Sequence, residues 1–264
     1  MIPDFFGGMD ELTRLLLSAI FVLIAAGVSR WQSADLERDL VIATVRSFIQ
    51  LILIGYALEL VFNQDNPFFT VGILGVMVTI AGRTTSARIK MLPDATRIGI
   101  VSIGIGTALT VGILLLLGVF EFVPQDIIPI GGMVVGSAMT AATLVMTRLA
   151  QDFQDQRLMI ETKLALGATA REASLTQFRR AVRSAMVPVV DTTKTVGLIK
   201  LPGAMTGMIL AGASPLEAVR LQIIVMYMLV GAVTFTSLVA AFMTYQAHFN
   251  HEHQFVDLTV EADK

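Results

Sequence analysis

Apolar residues gather in long runs along the chain, at 12–29, 40–62, 68–85, 98–120, 127–147, 186–212 and 218–245. Each is near the roughly 17–25 residues that a helix needs to cross a bilayer. The pattern predicts an all-α integral membrane protein with about seven transmembrane helices. The sixth run contains Pro188, Asp191, Lys194, Lys200 and Pro202. Prolines and charges inside an apolar run mark a span that is broken or partly interfacial. Between the fifth and sixth runs the pattern changes: ETKLALGATAREASLTQFRRAVR, residues 161–183, is charged and rich in helix formers.

Composition reinforces the membrane reading. The 264 residues are 55% hydrophobic and 15% charged, with a mean hydropathy of +0.73. That leaves too few polar side chains to coat a soluble surface. The net charge of −2 provides no basic field for nucleic acid. There is no cysteine, hence no disulfide framework and no thiolate chemistry. Asp4, Asp10 and Glu11 precede the first run, where a secretory signal would carry basic residues. The expectation is a retained first span.

Positive charge predicts the orientation. Arg30 and Arg38; Arg83, Arg88, Lys90 and Arg97; and Arg148, Arg157, Lys163, Arg171, Arg179, Arg180 and Arg183 fall in alternate connections, and these 13 are most of the 19 basic residues. The intervening connections NQDNP (63–67) and EFVPQD (121–126) have none. Because cytoplasmic loops collect Lys and Arg, the N-terminus is expected outside and the C-terminus in the cytoplasm. Arg14 and Arg220 run against the trend. A membrane body is expected over 1–247, with a cytoplasmic segment at about 150–185 and a polar tail at 248–264.

The charged segment reads as a short amphipathic helix. Leu158, Met159, Leu164, Ala165 and Leu166 alternate with Gln156, Arg157, Glu161, Thr162 and Lys163 at helical spacing, and Gly167 is a natural stop. Such a helix lies on a membrane surface or docks a soluble partner. The chain has no GxxxxGK[ST], HExxH or GxSxG, so neither phosphate cradling nor an enzyme of those classes is expected in it.

Polar residues inside apolar runs are the candidates for a transport pathway, because burying them in lipid is costly. They are Arg46 and Gln50, one turn apart in the second run, and Asp191, Lys194 and Lys200 in the sixth. Asp191 and Lys194, three apart, could pair as a structural bridge or a gate. Glu59 is read as interfacial. The 14 methionines are flexible packing more readily than soft-metal ligands. GMVVG (132–136) and GAMTG (203–207) permit close helix approach, within the chain or across a dimer seam. All three histidines, His248, His251 and His253, fall in HFNHEHQ near the C-terminus, either as metal ligands or as a solvated tail.

Glu161 and Gly167 resemble the Glu and Gly of the cytoplasmic Glu-Ala-Ala loop of ABC transporter permeases, with Thr162 and Lys163 in place of the alanines. Residues 187–222, VPVVDTTKTVGLIKLPGAMTGMILAGASPLEAVRLQ, are similar to the FetB-type branch of these permeases through Asp191 and Lys194, Thr195-Val196-Gly197-Leu198, Leu201-Pro202-Gly203, Met205-Thr206-Gly207 and the turn from Gly212 to Pro215. The resemblance implies the permease subunit of an ATP-driven exporter, with iron or another metal ion as substrate. It also implies a permease homodimer served by a separate cytoplasmic ATPase subunit that supplies ATP and Mg. Glu161, Leu164, Ala165, Leu166, Gly167 and Ala168 would form the coupling helix between the fifth and sixth spans. An organic or lipid substrate, and a non-transporting membrane anchor or regulator of an ATPase, are the alternatives.

Overall fold

The computed structural model describes residues 11–32, 37–62, 66–89, 92, 94–250 and 254–256. Over these residues the fold is all-α: α1 (Glu11–Trp31), α2 (Glu37–Phe62), α3 (Pro67–Ser86), α4 (Ala95–Leu116), α5 (Pro124–Asp155), α6 (Arg157–Ala165), α7 (Ala170–Thr195), α8 (Gly203–Leu210) and α9 (Pro215–Ala247). Five of them are long and apolar enough to cross a membrane: α2 over Glu37–Tyr56, α3, α4, α5 and α9.

The chain divides into two compact units, Met1–Gln64 and Asp65–Lys264. In the first, α1 and α2 pack on each other. Most of their described large apolar side chains face outward, as at Phe21, Leu23, Leu51 and Leu53. That is the pattern of helices solvated by lipid rather than by water.

The second unit is a bundle in which α9 packs against α4, α5, α7 and α8, while α3 lies against α4 and α5. Small residues set the closest approaches. Gly82 on α3 meets α4 at Gly99 and Ile100, Gly106 on α4 meets Thr236 on α9, and Gly131 on α5 meets Leu74 on α3; a Cβ at Gly82, Gly106 or Gly131 would overlap those neighbours. The GxxxG pairs are not where this happens. Only Gly132 has a neighbour, the Met77 methyl at 3.2 Å from an added Cβ, and nothing lies within 4 Å at Gly136, Gly203 or Gly207.

The stretch expected as a sixth span is interrupted. α7 begins at Ala170, runs without a break through Pro188, and ends at Thr195. It therefore joins the basic stretch to the first half of the apolar run. Gly197 then adopts φ +83°, its N–H donates to the Lys200 carbonyl at 3.0 Å, and Pro202 precedes the short α8. A left-handed glycine followed by proline stops a helix at this point.

Residues 248–250 and 254–256, placed by composition in a polar tail, fold back on the bundle. Phe249 and Phe255 form an isolated antiparallel bridge and, with Val256, pack against the core that holds Phe153 and Ile160. The apolar side chains Phe249, Phe255 and Val256 have that surface to bury against, which average polarity conceals.

Candidate functional site

Two features of the second unit stand out: a groove between α5, α7 and α9, and the α6 segment joining two of those helices. The groove has a volume of about 300 Å³. Its walls combine apolar side chains such as Leu144 and Val189 with the hydroxyls of Ser137, Thr140 and Thr192 and the thioether of Met226. Thr140 donates to the Gly136 carbonyl at 3.2 Å and Thr192 to the Pro188 carbonyl at 2.8 Å. Pro188 has no N–H, so the helical bond to the Ser184 carbonyl is missing beside the groove. Among the described residues no carboxylate or imidazole lines it. Along α5 it spans Gly136–Leu144, roughly 18–30 Å from the start of that helix at about 1.5 Å per residue.

The α6 segment is built by local chemistry. Gln156 breaks the path of α5, and α6 then runs for 9 residues. Ile160, fully buried, anchors its inner side, and Leu164 packs against the same core. Its outer side presents Leu158 (79% exposed), Met159 and, at the end, Leu166 (83%). The helix closes in a Schellman motif: Gly167 at φ +91°, its N–H donating to the Leu164 carbonyl at 2.9 Å, and the Ala168 N–H donating to Lys163 at 3.0 Å. Thr169 then caps α7 in a capping box with Glu172. The Glu172 carboxyl is held below its ordinary pKa by the Thr169 backbone N–H and then its hydroxyl.

Three contacts tie α6 to its neighbours. Gln177 of α7, fully buried, donates through Nε2 to Gln156 Oε1 at 2.7 Å. Lys163 Nζ donates to the Ala173 carbonyl at 3.4 Å. Arg157 reaches over the Phe255 ring at 5.9 Å. Glu161 is bound within its own helix, its Oε1 accepting from Arg157 Nε at 2.7 Å.

Of the apolar residues expected to form one contact surface, Ala165 and Leu166 face out while Leu164 is part of the packing. Leu158 and Met159 take its place. Their periodicity was visible in the sequence, but which side faces outward depends on Ile160 finding the core.

The pathway candidates are all on exposed surface. Arg46 and Gln50 lie on α2 in the first unit. Asp191 and Lys194 lie at the end of α7 and Lys200 in the turn that follows. Asp191 and Lys194 form no ion pair; the close ion pairs among the described residues are Arg148–Asp152 and Arg157–Glu161. Both side chains are exposed, so no burial forces them together. His248 is buried, with Nδ1 2.8 Å from the Thr244 carbonyl, whereas His251 and His253 lie outside the described residues. Among the described residues no group of three His, Asp or Glu side chains could hold a metal ion.

The all-helical architecture, with several helices able to cross a bilayer, defines a multi-pass membrane protein. Its sequence matches the family described as "Uncharacterised protein family (UPF0014)" over residues 12–249, and the chain belongs to that family. It is 44% identical to the Protein ALUMINUM SENSITIVE 3 of Arabidopsis thaliana over 95% of this chain and 94% of that protein. It is 44% identical to the membrane protein STAR2 of Oryza sativa over 92% and 85%, and 36% identical to the probable iron export permease protein FetB of Escherichia coli over 92% and 93%. No solved structure matches it.

Proposed function

We propose that this chain is the membrane-spanning permease subunit of an ATP-driven ABC exporter of iron or another metal ion, working as a homodimer with two copies of a cytoplasmic ATPase. The observation that carries the reading is α6: a short helix with Leu158, Met159 and Leu166 exposed, fixed between α5 and α7, the helices that form two walls of the groove. A partner pressing on α6 would move those walls, through Ile160 and the Gln156–Gln177 bond. The missing helical bond at Pro188 provides a place for α7 to bend. The similarity to a probable iron export permease supports the transport class and the metal.

In this reading ATP and Mg bind the partner, α6 with Gly167 and Ala168 is the coupling helix, and α6 and the C-terminus face the cytoplasm of a bacterial inner membrane. Arg46, Gln50, Asp191, Lys194 and Lys200 would face water or the second copy. His248, His251 and His253 would give at most an accessory metal contact.

A second reading of the substrate is favoured by the groove itself. Hydroxyls, a thioether and apolar walls are poor ligands for a bare hard cation, which prefers carboxylate oxygen, and suit an organic or lipid molecule. Affinity purification from native membranes followed by radioiron uptake into inverted vesicles tests both. ATP-dependent uptake that fails in Leu158→Asp supports iron export. Co-purification of an ATPase without iron uptake rejects iron, and absence of any ATPase rejects the ABC assignment.

A further inference from the structure

A second cavity, of about 420 Å³, lies between the first turns of α7 and the last turns of α9 and is lined by Arg171, Ser174, Leu175, Phe178, Phe242 and Tyr245. From it we infer a binding site for an acidic phospholipid, with the headgroup at Arg171 and Tyr245 and an acyl chain along α9. The inference rests on the membrane embedding of the bundle and not on the transport reading.

Charge gives the headgroup its sign. Arg171 is exposed and has no acidic partner within ion-pair distance among the described residues. Its neighbour Glu172 is engaged with Thr169, accepting from the backbone N–H at 2.9 Å and the hydroxyl at 2.8 Å. The Ser174 hydroxyl donates to the Ala170 carbonyl at 2.7 Å, so its proton is committed. The Tyr245 hydroxyl makes no hydrogen bond to the described residues and is left as the donor. A guanidinium and a phenol beside aromatic walls suit a phosphate attached to an apolar body.

Position selects a lipid over a free anion. Deep in the bundle, the Thr234 hydroxyl of α9 meets the Met186 sulfur of α7 at 3.5 Å. The cavity lies about three turns nearer the α9 C-terminus, at roughly 1.5 Å per residue. From Arg220, where α9 leaves its polar first turns, to Tyr245 is therefore about 37 Å, slightly more than the roughly 30 Å hydrocarbon core. Tyrosine and arginine are the side chains expected at that boundary. Phe242 is 52% exposed, and Leu238, one turn deeper on the same face, is 45% exposed. Together they continue the cavity as an apolar track along which an acyl chain can lie. The site begins in the first turn of α7, just past the turn at Gly167, so an occupant would fix the start of α7 immediately beyond the α6 turn.

Native mass spectrometry of the full chain in detergent, titrated with phosphatidylglycerol or phosphatidylcholine, tests the site. The parent should retain phosphatidylglycerol about fivefold better, the worth of one interfacial cation. Arg171→Gln should bring the two lipids to parity, whereas Arg171→Lys and Arg180→Gln, the latter on another face of α7, should keep the preference. A circular dichroism spectrum matching the parent's establishes that Arg171→Gln is folded; should it fail to fold, Tyr245→Phe must weaken phosphatidylglycerol retention in its place. Equal retention of both lipids by the parent would overturn the proposal, as would a preference that survives Arg171→Gln. Displacement of the lipid by excess inorganic phosphate would also overturn it, by showing that the site reads a free anion.

Discussion

His248 stands edge-on to Phe153, their ring centroids 4.9 Å apart and their planes inclined at 69°. Phe153 is fully buried and also meets Phe249 and Phe255 edge-on, at 5.8 and 6.1 Å. The end of α9 and the turn after it therefore close over the junction of α5 and α6. Ending the chain at Ala247 should uncover Phe153 and forfeit the partial burial of Phe249 and Phe255, each costing less than the roughly 1.5–3 kcal/mol of a fully buried phenylalanine. Thermal unfolding in detergent checks this; an unchanged midpoint would mean that the segment adds nothing.

Gly167→Val should damage the α6 turn without preventing membrane insertion. A β-branched residue at φ +91° carries a strain of roughly 1–3 kcal/mol. The expected result is normal membrane yield with reduced ATPase co-purification. Parent-like co-purification would remove the turn from the docking surface.

Leu158→Asp and Leu164→Asp should separate docking from stability. Leu158 is exposed, so its replacement should leave the melting midpoint near the parent and weaken partner binding. Leu164 packs, half-buried, on the core, and a carboxylate pressed against that core should destabilise by about 1–3 kcal/mol. Paired melting and co-purification measurements would show the reverse order if α6 were turned over.

Gly106→Ala should be much more damaging than Gly136→Ala. The added methyl at Gly106 collides with Thr236, while Gly136 has open space around it. Overpacking of this kind costs typically about 1–3 kcal/mol. Comparable melting midpoints for the two variants would contradict the close crossing of α4 and α9.

The capping box at the start of α7 predicts a pH dependence. Bonding to Thr169 lowers the Glu172 pKa in the folded state from 4.5. The ionised carboxyl therefore adds stability above that pH, and the contribution is lost as pH falls through the lowered folded value. The melting difference between the parent and Glu172→Gln should be constant from pH 7 to about 5 and shrink towards pH 3. A difference that grows on acidification would reverse the sign.

Membrane residence, the all-helical class and the position of an amphipathic segment near residue 160 follow from the sequence alone. Length of apolar run and helical period are local properties, and a bilayer reads them locally. Gly167 was legible for the same reason: its place just beyond the last periodic residue already marks a helix end. Thr169 and Glu172 form a capping box, a local device that became evident only with the structure.

Tertiary structure decided what depends on distant partners. Arg46, Gln50, Asp191, Lys194 and Lys200 are polar in an apolar context, but polarity does not say what a side chain faces, and Asp191 and Lys194 remain unpaired. Gly82, Gly106 and Gly131, outside any GxxxG pair, became the close contacts because Ile100, Thr236 and Leu74 come to lie opposite them. The outward turn of Leu158 and the inward turn of Leu164 were settled by where Ile160 is buried. His248, polar by composition, was drawn into an aromatic cluster by Phe153, nearly a hundred residues earlier in the chain. A periodic pattern tells which residues share a side of a helix; only the neighbours that cover that side determine whether it becomes core, pathway or docking surface.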